Sequence, residues 1–250
     1  MIHGVLLDLE GVLYVGGYPL PGAREALLSL RAASIPIRFI TNSTRLTRGA
    51  IVNRLARMGL EVPLQHLFTP AVAARHYLIT RKLTPHLLVH PDIQSEFADL
   101  LGPAPGAVLL GDAGPAFTYE ALNQCFRLLL QGLPLLAMGS NRYFRGNAGL
   151  DLDIGPFMAA LEYAADLEAV VLGKPAPEFF LAAVNSLNLP PHDVVMVGDD
   201  AEVDVRGAMA AGLRGVLVRT GKYRTGDEAK VEPHGGRVFN DLDAVVDYIL

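Results

Sequence analysis

The sequence is poor in cysteine and tryptophan and carries no strong excess of charge. It has one cysteine, Cys125, and no tryptophan, so an internal disulfide and a cysteine-based zinc site are both excluded. The formal net charge is only −5, from 21 Lys and Arg residues against 26 Asp and Glu residues. A mildly acidic chain binds the phosphate backbone poorly, so we expect no nucleic-acid partner.

Long apolar runs are absent as well. No stretch reaches the ~18 residues that a membrane-spanning helix needs. Asp8 interrupts the first apolar run, and no basic segment precedes it, which does not match a secretory signal. We therefore expect a cytoplasmic protein without a membrane partner. With 51% hydrophobic residues, the 250-residue chain still buries a substantial core, which excludes disorder.

Short apolar runs alternate with amphipathic segments along the chain. Runs typical of strands buried on both faces lie at 5–9, 37–40, 169–172, 194–197 and 216–218. Apolar residues at helical spacing between them predict helices near 26–30, 51–58 and 179–187. Because strand–helix alternation implies right-handed βαβ units, we predict an α/β fold with a doubly wound parallel-sheet core.

The stretch between Asn42 and Lys174 is too long for one βαβ unit, which takes roughly 30 residues or more. It carries its own strand patterns at 87–89, 108–110 and 135–138, and a helical pattern from Tyr119 to Leu129. We interpret residues 83–167 as a smaller α/β domain inserted into a core formed by residues 1–82 and 168–250.

Polar residues of reactive types follow four of the predicted strands. Residues Asp8–Tyr14 read DLEGVLY, Thr41–Thr44 read TNST, Gly173–Pro175 read GKP, and Gly198–Asp200 read GDD with Asp204 beyond them. Each motif alone has an ordinary structural explanation, such as a turn or a helix cap. Because ligands of open α/β sheets lie beyond the carboxyl ends of the strands, the four together predict one site.

The residue types in these motifs suit phosphoryl transfer. A phosphate ester needs a nucleophile, and Asp8 supplies one. The Thr41 hydroxyl is a candidate to hold the phosphoryl oxygens, together with the segment of Asn42 and Ser43 and its backbone N–H groups. Lys174 would neutralise charge and orient the nucleophile.

Acidic residues in the same motifs predict a Mg²⁺ site. Asp8 and Asp199 would be carboxylate ligands of the ion, and the backbone carbonyl of Glu10 would be a third protein ligand. Asp204 is expected to orient metal-bound water without touching the ion. Mg²⁺ is therefore the expected cofactor.

In combination, these motifs resemble the haloacid dehalogenase (HAD) superfamily, in which Asp-x-Asp-Gly-(Val/Thr)-Leu opens the chain. The position of the insert resembles subclass IIA, which has an α/β cap of the C2 type. Further stretches are similar to the branch of phospholysine phosphohistidine inorganic pyrophosphate phosphatases: LLVH at 87–90, SEF at 95–97, DAG at 112–114, GPFMAALEYA at 155–164 and GKYR at 221–224.

The resemblance implies a Mg²⁺-dependent phosphatase with a mobile cap. Its substrate would be a small phosphorylated compound, such as a phosphoramidate or pyrophosphate, cleaved through an aspartyl-phosphate. Similar proteins often dimerise through the cap, so a homodimer is one oligomeric state that the resemblance allows.

Glu10 departs from the superfamily pattern, which has an aspartate at that position as general acid and base. A glutamate carboxylate reaches roughly 1.5 Å further, and a misplacement of about 1 Å can cost on the order of 10²-fold in rate. We therefore hypothesise a slow or leaving-group-selective phosphatase in which Glu10 is catalytic. Two alternatives stay open: a phosphomonoesterase for sugar, glycolate or pyridoxal phosphates, and a phosphate-binding or regulatory protein weakened by Glu10.

A run of arginines without Asp or Glu follows the second motif. We interpret Arg48, Arg54 and Arg57 as a solvated helix face, on which the last two are favoured by the helix dipole. Arg45, which follows the phosphate-binding segment, is a candidate for steering an anionic substrate.

Overall fold

A computed structural model describes residues 2–145 and 149–250 of the chain. Its strands, in chain order, are β1 Gly4–Asp8, β2 Tyr14–Val15, β3 Tyr18–Pro19, β4 Ile37–Ile40, β5 Leu67–Phe68, β6 Pro85–Leu88, β7 Ala107–Leu110, β8 Leu135–Ala137, β9 Tyr143–Arg145, β10 Leu150–Leu152, β11 Val170–Val171, β12 Val194–Gly198, β13 Arg214–Val218 and β14 Arg237–Phe239. Its α-helices are α1 Ala23–Ala32, α2 Arg48–Arg57, α3 Pro70–Arg81, α4 Tyr119–Leu129, α5 Ile154–Ala165, α6 Pro177–Asn185, α7 Gly207–Ala210 and α8 Leu242–Ile249.

Shorter helical segments link these elements. A π-helical turn, Ala201–Arg206, precedes α7. The 3₁₀ segments are Leu64–His66, Pro91–Leu100, Gly114–Ala116, Pro191–Asp193, Asp227–Lys230 and Glu232–His234. Within the described residues, no helix combines the length and the apolar character that crossing a bilayer would require.

The chain divides into two compact units. The first unit comprises the residues up to Thr41, Arg48–Phe68 and Lys174–Leu250, and the second comprises Asn42–Thr47 and Thr69–Gly173. Both contain a parallel sheet and the helices that connect its strands, so each is described in turn.

The first unit is built on a six-stranded parallel sheet in the order β14-β13-β12-β1-β4-β5. Every residue of β1 and β12 is buried, as expected from their unbroken apolar runs. These two strands lie side by side in the middle of the sheet, with β4 on the other side of β1. The predicted doubly wound α/β core is confirmed.

The second unit contains a four-stranded parallel sheet in the order β11-β8-β7-β6 and an antiparallel pair, β9 and β10. Helix α3 belongs to this unit, because its buried Ala71, Ala74 and Leu78 join the same apolar cluster as β7 and β8. The second unit therefore begins earlier in the chain than the insert, whose first residue was predicted at 83.

The prediction that residues 169–172 form a strand of the core sheet is wrong. Val170–Val171 forms β11, which pairs with β8 at the edge of the second unit's sheet. A short apolar run suits either sheet equally well, so its composition alone does not assign it. The second unit consequently ends at Gly173, beyond the last residue predicted for the insert, 167.

Candidate active site

The carboxyl ends of three neighbouring strands bring polar side chains together in the first unit. Asp8 is the last residue of β1, Thr41 directly follows β4, and Asp199 directly follows β12. The strand register sets Asp8 opposite Ile40, the last residue of β4. The parallel arrangement thus gathers residues from distant parts of the sequence at one edge of the sheet.

Lys174 is a buried ammonium group between two buried carboxylates. Its Nζ lies 2.5 Å from Asp8 Oδ1 and 2.6 Å from Asp204 Oδ1, and its side chain is only 4% exposed. Burial opposes the charged form, but the carboxylates of Asp204 and Asp8 outweigh it and raise the pKa of Lys174. Lys174 therefore remains a cation and fixes the orientation of the Asp8 carboxylate.

Three carboxylates crowd this end of the sheet. Asp8, Asp199 and Asp204 are all buried, and each offers an oxygen within 4.8 Å of those of the other two. Burial and the charges of Asp8 and Asp204 raise the pKa of Asp199 to about 7. Burial likewise raises the pKa of Asp204 to about 6, although Lys174 opposes that shift. Lys174 and the nearby Lys222 carry two positive charges against three carboxylates, so the cluster favours a further cation.

The donor set fits a hard divalent cation. Asp199 is 1% exposed, and its Oδ1 accepts no hydrogen bond from any residue that the structure describes. A buried carboxylate oxygen without a donor is costly unless a cation meets it. Carboxylate oxygens are the protein ligands that Mg²⁺ prefers, so the chemistry of this cluster is compatible with the predicted Mg²⁺ site.

Residues to which the sequence motifs assigned no role position Asp199. The backbone N–H of Lys222 donates to Asp199 Oδ2 at 2.6 Å. An added Cβ would lie 1.9 Å from this oxygen at Gly11 and 2.0 Å from it at Gly221, and both glycines have positive φ. The Thr220 hydroxyl donates to the carbonyl oxygen of Gly11. The loop after β13, which contains the GKYR stretch at 221–224, is therefore part of the site.

Asp204 contacts protein groups on both carboxylate oxygens. Its Oδ1 accepts from Lys174, and its Oδ2 accepts from the backbone N–H of Asp200 at 3.2 Å. These contacts anchor the lysine and the start of the turn that follows β12. The predicted role of Asp204 in orienting metal-bound water stays a prediction beside this observed one.

Glu10 lies beside the cluster but differs from it in burial. Its side chain is exposed, whereas that of Asp8, two residues earlier, is buried. The backbone of Glu10 forms an isolated bridge with Tyr14. A carbonyl ligand to a metal would not depend on this side chain, so the two predicted roles of Glu10 are separable.

The predicted phosphate-binding residues fall at the boundary between the two units. Thr41 is buried at the end of β4, and its N–H donates to the carbonyl of Phe68 at 3.1 Å. A phosphate contact by Thr41 would therefore use the hydroxyl. Asn42 and Ser43 follow it directly in the chain but belong to the second unit, so their contact with phosphate stays a prediction.

Arg45 has a carboxylate partner within the second unit. Its guanidinium lies 2.5 Å from Asp112 Oδ2 through Nε and 3.1 Å from Oδ1 through Nη2, and it lies over the ring of Phe144. The backbone N–H of Gly114 donates to the same carboxylate. Arg45 is thus held in place by protein contacts, which reduces the charge that it offers to a substrate.

Two family models match the chain. Residues 5–100 match the family described as haloacid dehalogenase-like hydrolase, and residues 171–245 match the family described as HAD-hydrolase-like. The first match contains Asp8 and Thr41, and the second contains Lys174 and Asp199.

Individual relatives match over the whole chain. The chain is 44% identical over 255 residues to the phospholysine phosphohistidine inorganic pyrophosphate phosphatase of Danio rerio, covering 100% of the chain and 94% of the relative. Among solved structures, a 4-nitrophenylphosphatase from Thermotoga maritima superimposes with a TM-score of 0.91 at 26% identity, covering 100% and 98%. A glycerol phosphate phosphatase from Mycobacterium tuberculosis in complex with magnesium gives 0.84 at 25% identity, covering 96% and 76%.

Proposed function

The chain belongs to the haloacid dehalogenase-like hydrolases and is a phosphatase of that family; we propose that it requires Mg²⁺ and acts through an aspartyl-phosphate formed on Asp8. The observation that carries this proposal is the buried contact of Asp8 with Lys174, beside Asp199 and Asp204. Burying three carboxylates close together costs folding free energy, even with Lys174 between two of them. Such clusters of perturbed titratable groups are typical of functional sites rather than of structural ones.

In the first half-reaction, a carboxylate oxygen of Asp8 attacks phosphorus, and the bond between phosphorus and the leaving group breaks. Lys174 holds the nucleophile in place and balances part of the charge that the incoming phosphate brings. Asp8, Asp199 and the carbonyl of Glu10 would hold the Mg²⁺, which supplies positive charge to the phosphoryl oxygens when bound.

In the second half-reaction, water attacks the phosphorus of the aspartyl-phosphate. The bond between phosphorus and the Asp8 oxygen breaks, and inorganic phosphate leaves. Glu10 would give its proton to the leaving group in the first half-reaction and take one from the attacking water in the second. Its extra methylene gives its carboxylate more positions to occupy than an aspartate carboxylate has.

The remaining predicted residues take binding roles in the proposal. The Thr41 hydroxyl, with Asn42 and Ser43, would hold the phosphoryl oxygens that Asp8 does not attack. The insert predicted at 83–167, which lies within the second unit, would be a cap whose loops select the substrate. A cap that excludes bulk water strengthens the electrostatic contacts in a phosphoryl-transfer site.

We favour a phosphoramidate or pyrophosphate as the substrate. The name of the 44% identical relative specifies phospholysine, phosphohistidine and inorganic pyrophosphate. Phosphate is a weakly basic leaving group, and a phosphoramidate nitrogen that is protonated before cleavage leaves as a neutral amine. Both therefore need less help from a general acid of the enzyme than an alkoxide does, which suits a glutamate in place of the usual aspartate. The alternative, a small phosphomonoester, is favoured by the names of the structural neighbours, a 4-nitrophenylphosphatase and a glycerol phosphate phosphatase.

The test is turnover by the pure protein with Mg²⁺ on 4-nitrophenyl phosphate, glycerol phosphate, pyrophosphate and a phosphoramidate. We expect hydrolysis that Asp8→Asn abolishes and that is fastest on the P–N or P–O–P substrates. Glu10→Asp should raise turnover of the alkyl ester most. If the protein binds vanadate and Mg²⁺ but hydrolyses none of the four substrates, it is instead a phosphate-binding or regulatory protein.

A further inference from the structure

A short hairpin follows the strand that carries Asp8. In the part of the chain that the structure describes, β2 and β3 form a separate two-stranded sheet. Its turn, Gly16 and Gly17, stands in open space, where an added Cβ would meet no atom within 4 Å. Tyr18 is 80% exposed. A lone pair of two-residue strands is marginally stable at best, so contacts outside the hairpin must hold it.

The hairpin is bonded to the backbone on both sides of Glu10. The N–H of Gly11 donates to the carbonyl of Tyr14 at 2.7 Å, and the N–H of Tyr14 donates to the carbonyl of Leu9 at 3.3 Å. A shift of Tyr14 therefore moves the peptide groups that flank Glu10.

The Glu10 side chain has little else to fix it. It is exposed, and no described residue donates a hydrogen bond to its carboxylate. The place of that carboxylate is therefore set by the backbone of residue 10 and by the side chain's own rotamers. Any group that fixes this backbone also limits where the carboxylate can reach.

Arg54, on α2, contacts the hairpin at two points. Its Nη2 donates to the carbonyl oxygen of Gly16 at the turn, and its guanidinium lies 5.2 Å from the ring centroid of Tyr14. Tyr14 itself is buried. Arg54 is half-buried, so besides facing solvent, as predicted, it makes specific contacts that the prediction did not include, whereas Arg57, three residues later, is exposed as predicted.

We propose that Arg54 is a positioning residue for Glu10: by holding Tyr14 and Gly16 together, it fixes the hairpin and so keeps the carboxylate of residue 10 within reach of the leaving group. This inference rests on the proposed function, in which Glu10 is the general acid and base. It assigns Arg54 no contact with substrate.

The perturbation is Arg54→Met, which keeps an unbranched stem of similar length but removes the donors and the cation. Because a misplacement of about 1 Å costs on the order of 10²-fold, we expect kcat for glycerol phosphate to fall roughly tenfold or more, with KM within about twofold. The nitrophenolate leaving group needs less protonation, so kcat for 4-nitrophenyl phosphate should fall by less than about threefold. Arg57→Met, on the same helix, is the matched control and should change neither value.

A double-mutant cycle separates positioning from general damage. In a Glu10→Gln background, Arg54→Met should lower kcat for glycerol phosphate by less than about twofold, because the carboxylate that it positions is already gone. A purely structural role would instead produce the same loss in both backgrounds. Arg54→Lys keeps a charge and a donor without the planar guanidinium, so we expect a partial loss; it replaces Arg54→Met if that variant does not fold.

The inference is overturned if Arg54→Met behaves as Arg57→Met does, or if its loss is equal on both substrates or persists undiminished without the Glu10 carboxylate. A wild-type protein that hydrolyses none of the four substrates named for the proposed function would refute that function itself, and the inference with it. The two failures are thus distinguished by the wild-type rates alone.

Discussion

In the absence of metal, the free energy of unfolding of the wild type should fall as the pH rises, because Asp199 is buried. Replacing Asp199 with asparagine should remove this pH dependence. In the folded state Asp199 is buried near two other carboxylates, and its pKa rises from the ordinary value of 3.8 to about 7. The corresponding free energy is ~4 kcal/mol. That is a large part of the 5–15 kcal/mol by which typical domains are stable.

The sign follows from proton binding. Between pH 3.8 and about 7 the folded protein holds the Asp199 proton and the unfolded chain does not. The contribution of this group to stability therefore falls by about 1.4 kcal/mol for each unit of rising pH in that window and levels off above it. An asparagine carries no such dependence, while its amide oxygen can still accept from the N–H of Lys222.

The assay is urea denaturation of both proteins in EDTA from pH 5 to pH 8. The stability of Asp199→Asn relative to the wild type should rise by about 3 kcal/mol between pH 5 and pH 7.5. Asp204 also titrates in this range, with a pKa of about 6. Because its charge contributes to the raised pKa of Asp199, the stability difference reports the two carboxylates as a pair. Asp247→Asn, an exposed substitution on α8, controls for the loss of one negative charge.

Mg²⁺ gives the complementary measurement. An ion at 100 times its dissociation constant stabilises the folded protein by ~2.7 kcal/mol, and at pH 8 this gain should appear in the wild type and be largely lost in Asp199→Asn. If the two proteins show parallel stability curves in EDTA across this pH range, the account of a buried, uncompensated carboxylate is refuted.

Two further substitutions test the same cluster. Lys174→Met should abolish turnover and destabilise the protein by about 3–5 kcal/mol in urea, because it leaves Asp8 and Asp204 buried without their cation; an unchanged denaturation midpoint would contradict this. Gly221→Ala places a Cβ 2.0 Å from the Asp199 carboxylate and should weaken Mg²⁺ binding by roughly tenfold or more in calorimetry. Gly59→Ala, which also has positive φ but an open surrounding, should leave Mg²⁺ affinity unchanged.

It was predictable that the acidic motifs lie close together in the folded protein, because their positions are set by where the strands of the sheet end. Asp8 and Asp199 lie at the ends of short apolar runs, and parallel topology carries such positions to one edge of a sheet. The run before Lys174 belongs to the second unit's sheet, so this rule does not account for the position of the lysine. The motifs did not need to be close together in the sequence for this prediction. The apolar runs and helical periodicity likewise predicted the α/β core.

Contacts that arise only from tertiary packing were not predictable. The N–H of Lys222 reaches Asp199 because β13 lies next to β12, and nothing in a Thr-Gly-Lys loop states which carboxylate it will meet. From the sequence alone, Arg54 is interpreted as a solvated residue near the end of a helix. Its partners are not apparent there, because they lie on a hairpin much earlier in the chain. Val170–Val171 pairs with β8 of the second sheet. The composition of so short a strand does not determine which sheet it joins.

The central claim is that Asp8 captures the phosphoryl group. Rapid acid quenching during turnover with Mg²⁺, followed by peptide mass spectrometry, should locate a phosphoryl group on Asp8 that disappears when substrate is exhausted and never forms in Asp8→Asn. Wild-type turnover by Asp8→Asn, or a phosphoryl group trapped on a different residue, would contradict the claim.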